Sequence, residues 1–383
     1  MRLPVRISSR ARLHAIVSAA TVAVFAIALA GCNVGYLTHA AYEGGRILWN
    51  RKPISGELAQ SDLTPDVREK LETVLKVREF AADQLGMNVG GAYETIAPVD
   101  QSAIVYVVMA AEQESLQPHT WWFPIVGAVP YRGYFQQSDA DAEAAQMEAN
   151  GYDTMVRPAV AFSSLGFFDD PVLTNLLKLD RVELAGVLLH ELFHRTYYLA
   201  SDAMFDESAA NWVGDRGAVA FFTVTEGPAS PAAVEARAIL NSNLKFSRFL
   251  LTEQARLLKI YTSGAPRDEI LKQREAAFAA IKSDYAALAP SLYGLERFDL
   301  DKQPLNNAVM VNYLIYFHDL DNFAALNRID NGDLKKTIAR IIEIAKANPD
   351  DPFYAVWQAS LSAPSNPQPS ARAPSIAPAK AGS

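Results

Sequence analysis

The chain is short of cysteine, with Cys32 alone in 383 residues. One thiol excludes an intrachain disulfide and a cysteine-built metal site. Histidine is also scarce, six in all: His14, His39, His119, His190, His194 and His318. Basic charge is in deficit, with 35 Lys and Arg against 43 Asp and Glu. Four of those arginines stand in the first 31 residues, where there is no acid, so the net −8 becomes −12 for the rest. That balance argues against nucleic acid as a partner. No internal repeat recurs, which excludes a solenoid. Apolar residues are plentiful, half of the chain, and suffice for one large domain with its own core.

The N-terminus accounts for the lone cysteine. Arg2, Arg6, Arg10 and Arg12 form a basic start, Ala15 to Ala28 is small and apolar, and Leu29-Ala30-Gly31-Cys32 closes the run. The apolar run is short for a membrane span, and the whole looks like a bacterial lipobox. We expect residues 1–31 to be a signal peptide and Cys32 to be lipidated as the first mature residue. Asn33 stands where an inner-membrane retention signal carries Asp, so the expected location is the cell envelope, on the outer membrane facing the periplasm. Residues 363–383 are Pro, Ser and Ala without apolar periodicity and are expected to form a disordered tail. Residues 32–362 remain as the folded domain.

Within that domain the periodicity changes twice. A helix is expected from Asp62-Leu63-Thr64-Pro65 to about Leu85, where Gly86 stops it. Ala103 to Met109, Trp121 to Val126 and Met155 to Phe162 are β-rich runs with turns between them, read as a small antiparallel sheet, and Asp139 to Asn150 is a short helix. Beyond Gly217 the chain reads as helical: Ser230-Pro231 to about Tyr261, Pro266 to about Leu288, Asn306 to Phe317, Gly332 to Ala347 and Pro352 to Ser360. The expected class is α+β, predominantly α. Its small sheet precedes the motif helix (regions 92–217), and a helical region (218–362) follows.

That helix is expected from Arg181 to about Leu199. Asp180 stands at the N-cap with Glu183 three residues on, and no Gly or Pro follows Gly186 before Ala200. Val182, Ala185, Leu188, Leu189, Leu192 and Phe193 make one broad apolar face. It contains His190-Glu191-Leu192-Phe193-His194, an H-E-x-x-H motif. Four residues turn a helix by about 400° and rise about 6 Å, so both imidazoles can reach one ion. Glu191 points about 100° away from His190 and is free to address a water as a general base. A catalytic Zn²⁺, one per chain, takes a third protein ligand. Glu207 is the best candidate, because a second helix beginning near Phe205 would return antiparallel and bring it level with the histidines. Asp202, in a turn or cap position, and Asp206 are its competitors.

His190 to His194 followed by Asp206-Glu207-Ser208-Ala209-Ala210-Asn211-Trp212-Val213-Gly214 resembles the N-E-S-F-A pattern of gluzincin peptidases. More closely it resembles the putative zinc aminopeptidase family of bacterial lipoproteins. The resemblance runs from about Cys32 to Phe323 and includes Val129 to Phe135, Ala161 to Pro171 and Leu305 to Ala308. It departs at Asp206, where such motifs carry Asn, and at Ala209, where they carry an aromatic. It implies His190, His194 and Glu207 as zinc ligands and Glu191 as general base in peptide hydrolysis, with peptides as substrates. An oxyanion or substrate contact is sought among Tyr131, Tyr313 and Tyr316. An aminopeptidase also needs an acid for the α-ammonium, for which Glu94, Asp169, Asp170 and Asp206 are the candidates. The alternative is a non-catalytic envelope lipoprotein that keeps a peptidase-like fold as a binding or assembly module. Glu191 argues against it.

Overall fold

The computed structural model describes residues 45–99, 105–123, 126–159, 169–294, 298, 300–301 and 304–363. The chain divides into two units, Met1–Trp49 and Asn50–Ser383. Of the first unit only a helical segment at 45–49 is described. Cys32, the leader and the tail from residue 364 lie outside the described residues, as do residues 161–168 of the segment Ala161 to Pro171. Among the described residues no helix is long and apolar enough to cross a membrane.

The second unit is α+β and predominantly α. Its strands are β1 (Lys52–Pro53), β2 (Thr95–Ala97), β3 (Val105–Glu112), β4 (Trp121–Phe123), β5 (Gly127–Val129), β6 (Arg132–Tyr134), β7 (Tyr152–Ala159) and β8 (Val172–Leu173). Its helices are α1 (Ile54–Leu58), α2 (Pro65–Asp83), α3 (Gln137–Ala149), α4 (Arg181–Thr196), α5 (Ala203–Glu226), α6 (Pro231–Tyr261), α7 (Arg267–Leu288), α8 (Asn307–Phe317), α9 (Leu320–Ile329), α10 (Leu334–Ala347) and α11 (Pro352–Ser360).

The β-rich runs fall in two small sheets rather than one, and short strands outside them form a third. Central β3 pairs antiparallel with β6 and β7, and β4 pairs antiparallel with β5. In the third sheet β2 pairs antiparallel with β1 and parallel with β8, so that sheet is mixed. These last strands have two or three residues each, too few to show a period of two.

Helix boundaries follow local chemistry. Thr64 and Ser230 cap α2 and α6 by accepting from Val67 N and Ala233 N, and a proline opens each helix at its first position. Asp180 caps α4, its Oδ1 accepting from Val182 N and Glu183 N at 2.8 Å. All six residues of the expected apolar face of α4 are buried, with Leu184 beside them. The helix stops at Thr196, three residues short of expectation. Thr196 Oγ1 donates back to Leu192 O (2.7 Å), Tyr197 is extended, and Leu199 N donates to Asp206 Oδ1 (2.9 Å) instead of a helical carbonyl. Asp202 caps α5 by accepting from Phe205 N.

Helices α4 and α5 pack closely because two glycines let them. A Cβ on Gly214 would sit 2.6 Å from Gly186 O and 3.2 Å from His190 Cβ, and one on Gly217 would meet Leu189 Cδ1 at 2.8 Å. Helix α8 is buried between α5, α6 and the β3–β7 sheet. Its core is aromatic: Phe246 meets Phe298, Phe317 and Tyr313 at ring distances of 4.2, 5.2 and 5.4 Å. Such rings contribute by area and by edge-to-face geometry.

Candidate metal centre

Helix α4 supplies His190, Glu191 and His194, and α5 returns Glu207 to them. His190 Nε2 and His194 Nε2 are 3.0 Å apart, and Glu207 Oε2 lies 3.2 Å from the first and 3.4 Å from the second. A tetrahedral ion with ligands at about 2.0–2.1 Å requires donor-to-donor edges of about 3.3–3.4 Å. The triangle therefore fits one metal ion with a fourth position open. Among the described residues it is the one group of three His, Cys, Asp or Glu side chains placed to hold an ion.

The Glu207 carboxylate dominates the electrostatics of the cluster. Burial by itself lowers the affinity of His194 for a proton, yet the Glu207 carboxylate wins and lifts the imidazole to about 9. Burial pushes Glu207 up, but His194, and then hydrogen bonds from both imidazoles, hold it far below the usual carboxylate range. Both shifts come from the pairing of the Glu207 carboxylate with the imidazoles, a negative charge that a bound cation would also neutralise. Glu191 is outside the triangle. Burial raises its carboxyl against the downward pull of His190 and His194, with Glu207 and Asp170 adding to the rise, which is the direction a proton acceptor needs.

Neighbouring elements orient these groups. Tyr131, in the turn before β6, donates to Glu207 Oε1 at 3.1 Å and so leaves Oε2 for the imidazoles. Ser208 Oγ donates to Ile315 O (2.8 Å) and Asn211 Nδ2 to Tyr316 O (2.9 Å), so α5 satisfies the last carbonyls of α8. That junction sets the Tyr316 ring against His190, with centroids 6.5 Å apart and planes 26° apart. Arg157, from β7, donates through Nη2 to Tyr316 OH (2.9 Å) and through Nε to Asn312 Oδ1 (2.8 Å).

The structure brings His190, Glu191, His194, Glu207, Tyr131 and Tyr316 together, but not Tyr313. The Tyr313 hydroxyl donates instead to Phe298 O within the aromatic core. Asp202 and Asp206 are occupied at backbone amides. Glu94 pairs with Arg78, and Asp169 with Arg195 and Gly91 N. Asp170 is buried beside Glu191. Arg157 and Asn312 escaped the sequence reading. The available signal was an isolated arginine inside a β-rich run, which alone does not say what it faces.

The model of one protein family matches residues 35–352, a span that contains every residue of the cluster. The chain belongs to the "Putative aminopeptidase" family. No curated protein and no solved structure matches it. Peptide hydrolysis is the chemistry that this membership suggests, and the triangle lies well inside the matched span. Cys32 lies just outside it.

Proposed function

We propose that the protein is a zinc metallopeptidase, specifically an aminopeptidase, attached to the outer membrane through a lipidated Cys32 and facing the periplasm. The observation that carries the enzymatic part is the triangle of donor atoms, 3.0–3.4 Å on each edge, with Glu191 beside it and outside it. The lipid attachment rests on the leader pattern, and the preference for a free N-terminus on the family's description.

Zinc would be held by His190 Nε2, His194 Nε2 and Glu207 Oε2. When bound it supplies Lewis-acid polarisation of a carbonyl and acidifies a water. Tyr131 keeps Glu207 in its orientation. Glu191 accepts a proton from the attacking water and delivers it to the leaving nitrogen. Tyr316 donates its hydroxyl hydrogen to the oxygen on which negative charge develops. Tyr313 takes no part. A carboxyl at Glu191, next to the ligand histidines in the motif yet outside the donor triangle, favours this reading over a non-catalytic module, which has no use for such a group.

Protein lacking residues 1–31 should hold about one zinc per chain by elemental analysis. His190→Ala and His194→Ala should empty the site. Glu191→Gln should keep the zinc and lose about 10²–10⁴-fold in kcat. Undiminished hydrolysis by Glu191→Gln would overturn the general-base role. Peptides with an acetylated N-terminus should resist cleavage, and equal rates on free and acetylated peptides would make the enzyme an endopeptidase.

A further inference from the structure

We propose that Arg157 is a positioning residue for this reaction, resting on the peptidase reading above: it occupies the oxygen lone pair of Tyr316 and so turns the Tyr316 hydroxyl hydrogen toward the substrate.

Three buried or half-buried tyrosines were candidates for an oxyanion donor, and their protons have different fates. Tyr131 spends its proton on Glu207 Oε1, and Tyr313 spends its proton on Phe298 O. Tyr316 is different, because its oxygen accepts from Arg157 Nη2. A guanidinium has donors only, so the phenol hydrogen cannot point at Arg157. Among the described residues no acceptor hydrogen-bonds to it. The hydroxyl is left as a donor beside His190 and Glu207, polarised by a charge on its own oxygen.

The setting of Arg157 differs from that of a structural arginine. Arg274, which is buried, meets Asp153 through two nitrogens at 3.0 and 3.1 Å, the usual way to neutralise a buried guanidinium. Arg157 has no carboxylate within ion-pair distance among the described residues. Its contacts are an amide oxygen and a phenol oxygen, and Glu207 acts on it only at longer range. Asn312 and Tyr316 are four residues apart on α8 and share one face, so together they fix the plane of the guanidinium. Its carbon stands 5.4 Å from the Tyr316 ring centroid. Strand β7 holds the other end, with Arg157 opposite Val107 of β3. A half-buried permanent cation without a contact anion is costly, and its charge is available to the developing oxyanion through Tyr316.

The test is a cycle of variants in the zinc-loaded protein, using a peptide that the wild type hydrolyses. Tyr316→Phe should lower kcat about 10²–10³-fold. Arg157→Gln should lower kcat about 10-fold or more, with KM and zinc content near wild type, and Arg157→Lys should recover only part, since an ammonium lacks the two-point fork. In the Tyr316→Phe background Arg157→Gln should cost nothing further. Binding of a phosphinic peptide, a tetrahedral anionic mimic, should weaken in parallel with kcat/KM. If Arg157→Gln does not fold, Asn312→Ala, which frees one end of the guanidinium, should show the same loss and the same disappearance in the Tyr316→Phe background. Losses that multiply independently, or a change in KM alone, would overturn the role of Arg157 and leave the peptidase reading standing. A zinc-loaded wild type that cleaves no peptide would overturn the peptidase reading, and this inference with it.

Discussion

Glu207 offers one oxygen to the imidazoles and the other to Tyr131, so the metal site depends on a phenol 76 residues away in the chain. Hydrogen bonds of this kind set the orientation and basicity of a ligand. Tyr131→Phe should therefore lower zinc affinity about 10–100-fold, measured by chelator competition, without unfolding the protein. Affinity equal to wild type would show that packing alone holds the carboxylate. Glu207→Gln should weaken binding further, because it removes the ligand charge itself.

At the scale of elements, the approach of α4 and α5 decides whether the triangle closes. Gly214→Ala would drive a methyl group into Gly186 O and His190 Cβ, so it should destabilise by about 1–3 kcal/mol and loosen zinc. Gly186→Ala is the comparison: nothing lies within 4 Å of the new methyl, and a gain of about 0.4–1 kcal/mol is expected in denaturant unfolding. If both alanines behaved alike, the contact at Gly214 would not matter. The N-cap of α5 makes a second prediction. Burial lifts the Asp202 carboxyl from 3.8 to about 6 against the hydrogen bond from Phe205, with Asp351 adding to the rise. A raised carboxyl is a penalty on the folded state that is absent below pH 3.8, grows as pH rises and is complete above about 6. Asp202→Asn should therefore gain stability relative to wild type as pH rises from about 4 to 7, by up to about 3 kcal/mol. A difference that stays constant over that range would refute this.

At the scale of the molecule, the proposed catalytic residues and the proposed anchor lie in different units of the chain. Cys32→Ser should abolish fatty-acid labelling and release the protein from the outer-membrane fraction, while hydrolysis in solution stays unchanged because no site residue lies before Tyr131. Labelling that persists in Cys32→Ser would remove the lipoprotein reading. At this scale the whole fold also decides what α8 covers. The segment is nearly all apolar, so its pattern reports burial without naming what it covers.

Local pattern accounts for whatever depends on neighbours within about four residues. Asp180 before Val182 and Glu183 starts α4, Ser230-Pro231 starts α6, and the spacing of His190 and His194 places both imidazoles on one side of a helix. Such features are local, because helix hydrogen bonds and caps close short rings. Helix α9 escaped because its opening residue, Asp319, has left-handed backbone (φ 53°) and no side-chain cap. It takes the assembled fold to bring Glu207 Oε2 to the two histidines, Asp206 back to Leu199, β2 to β8 some 75 residues later, and Arg157 to Asn312 and Tyr316. The reason is physical: contacts across long stretches of chain depend on how closely whole elements approach. Here that approach is set by Gly214 and Gly217, which nothing in the sequence distinguishes from the other glycines.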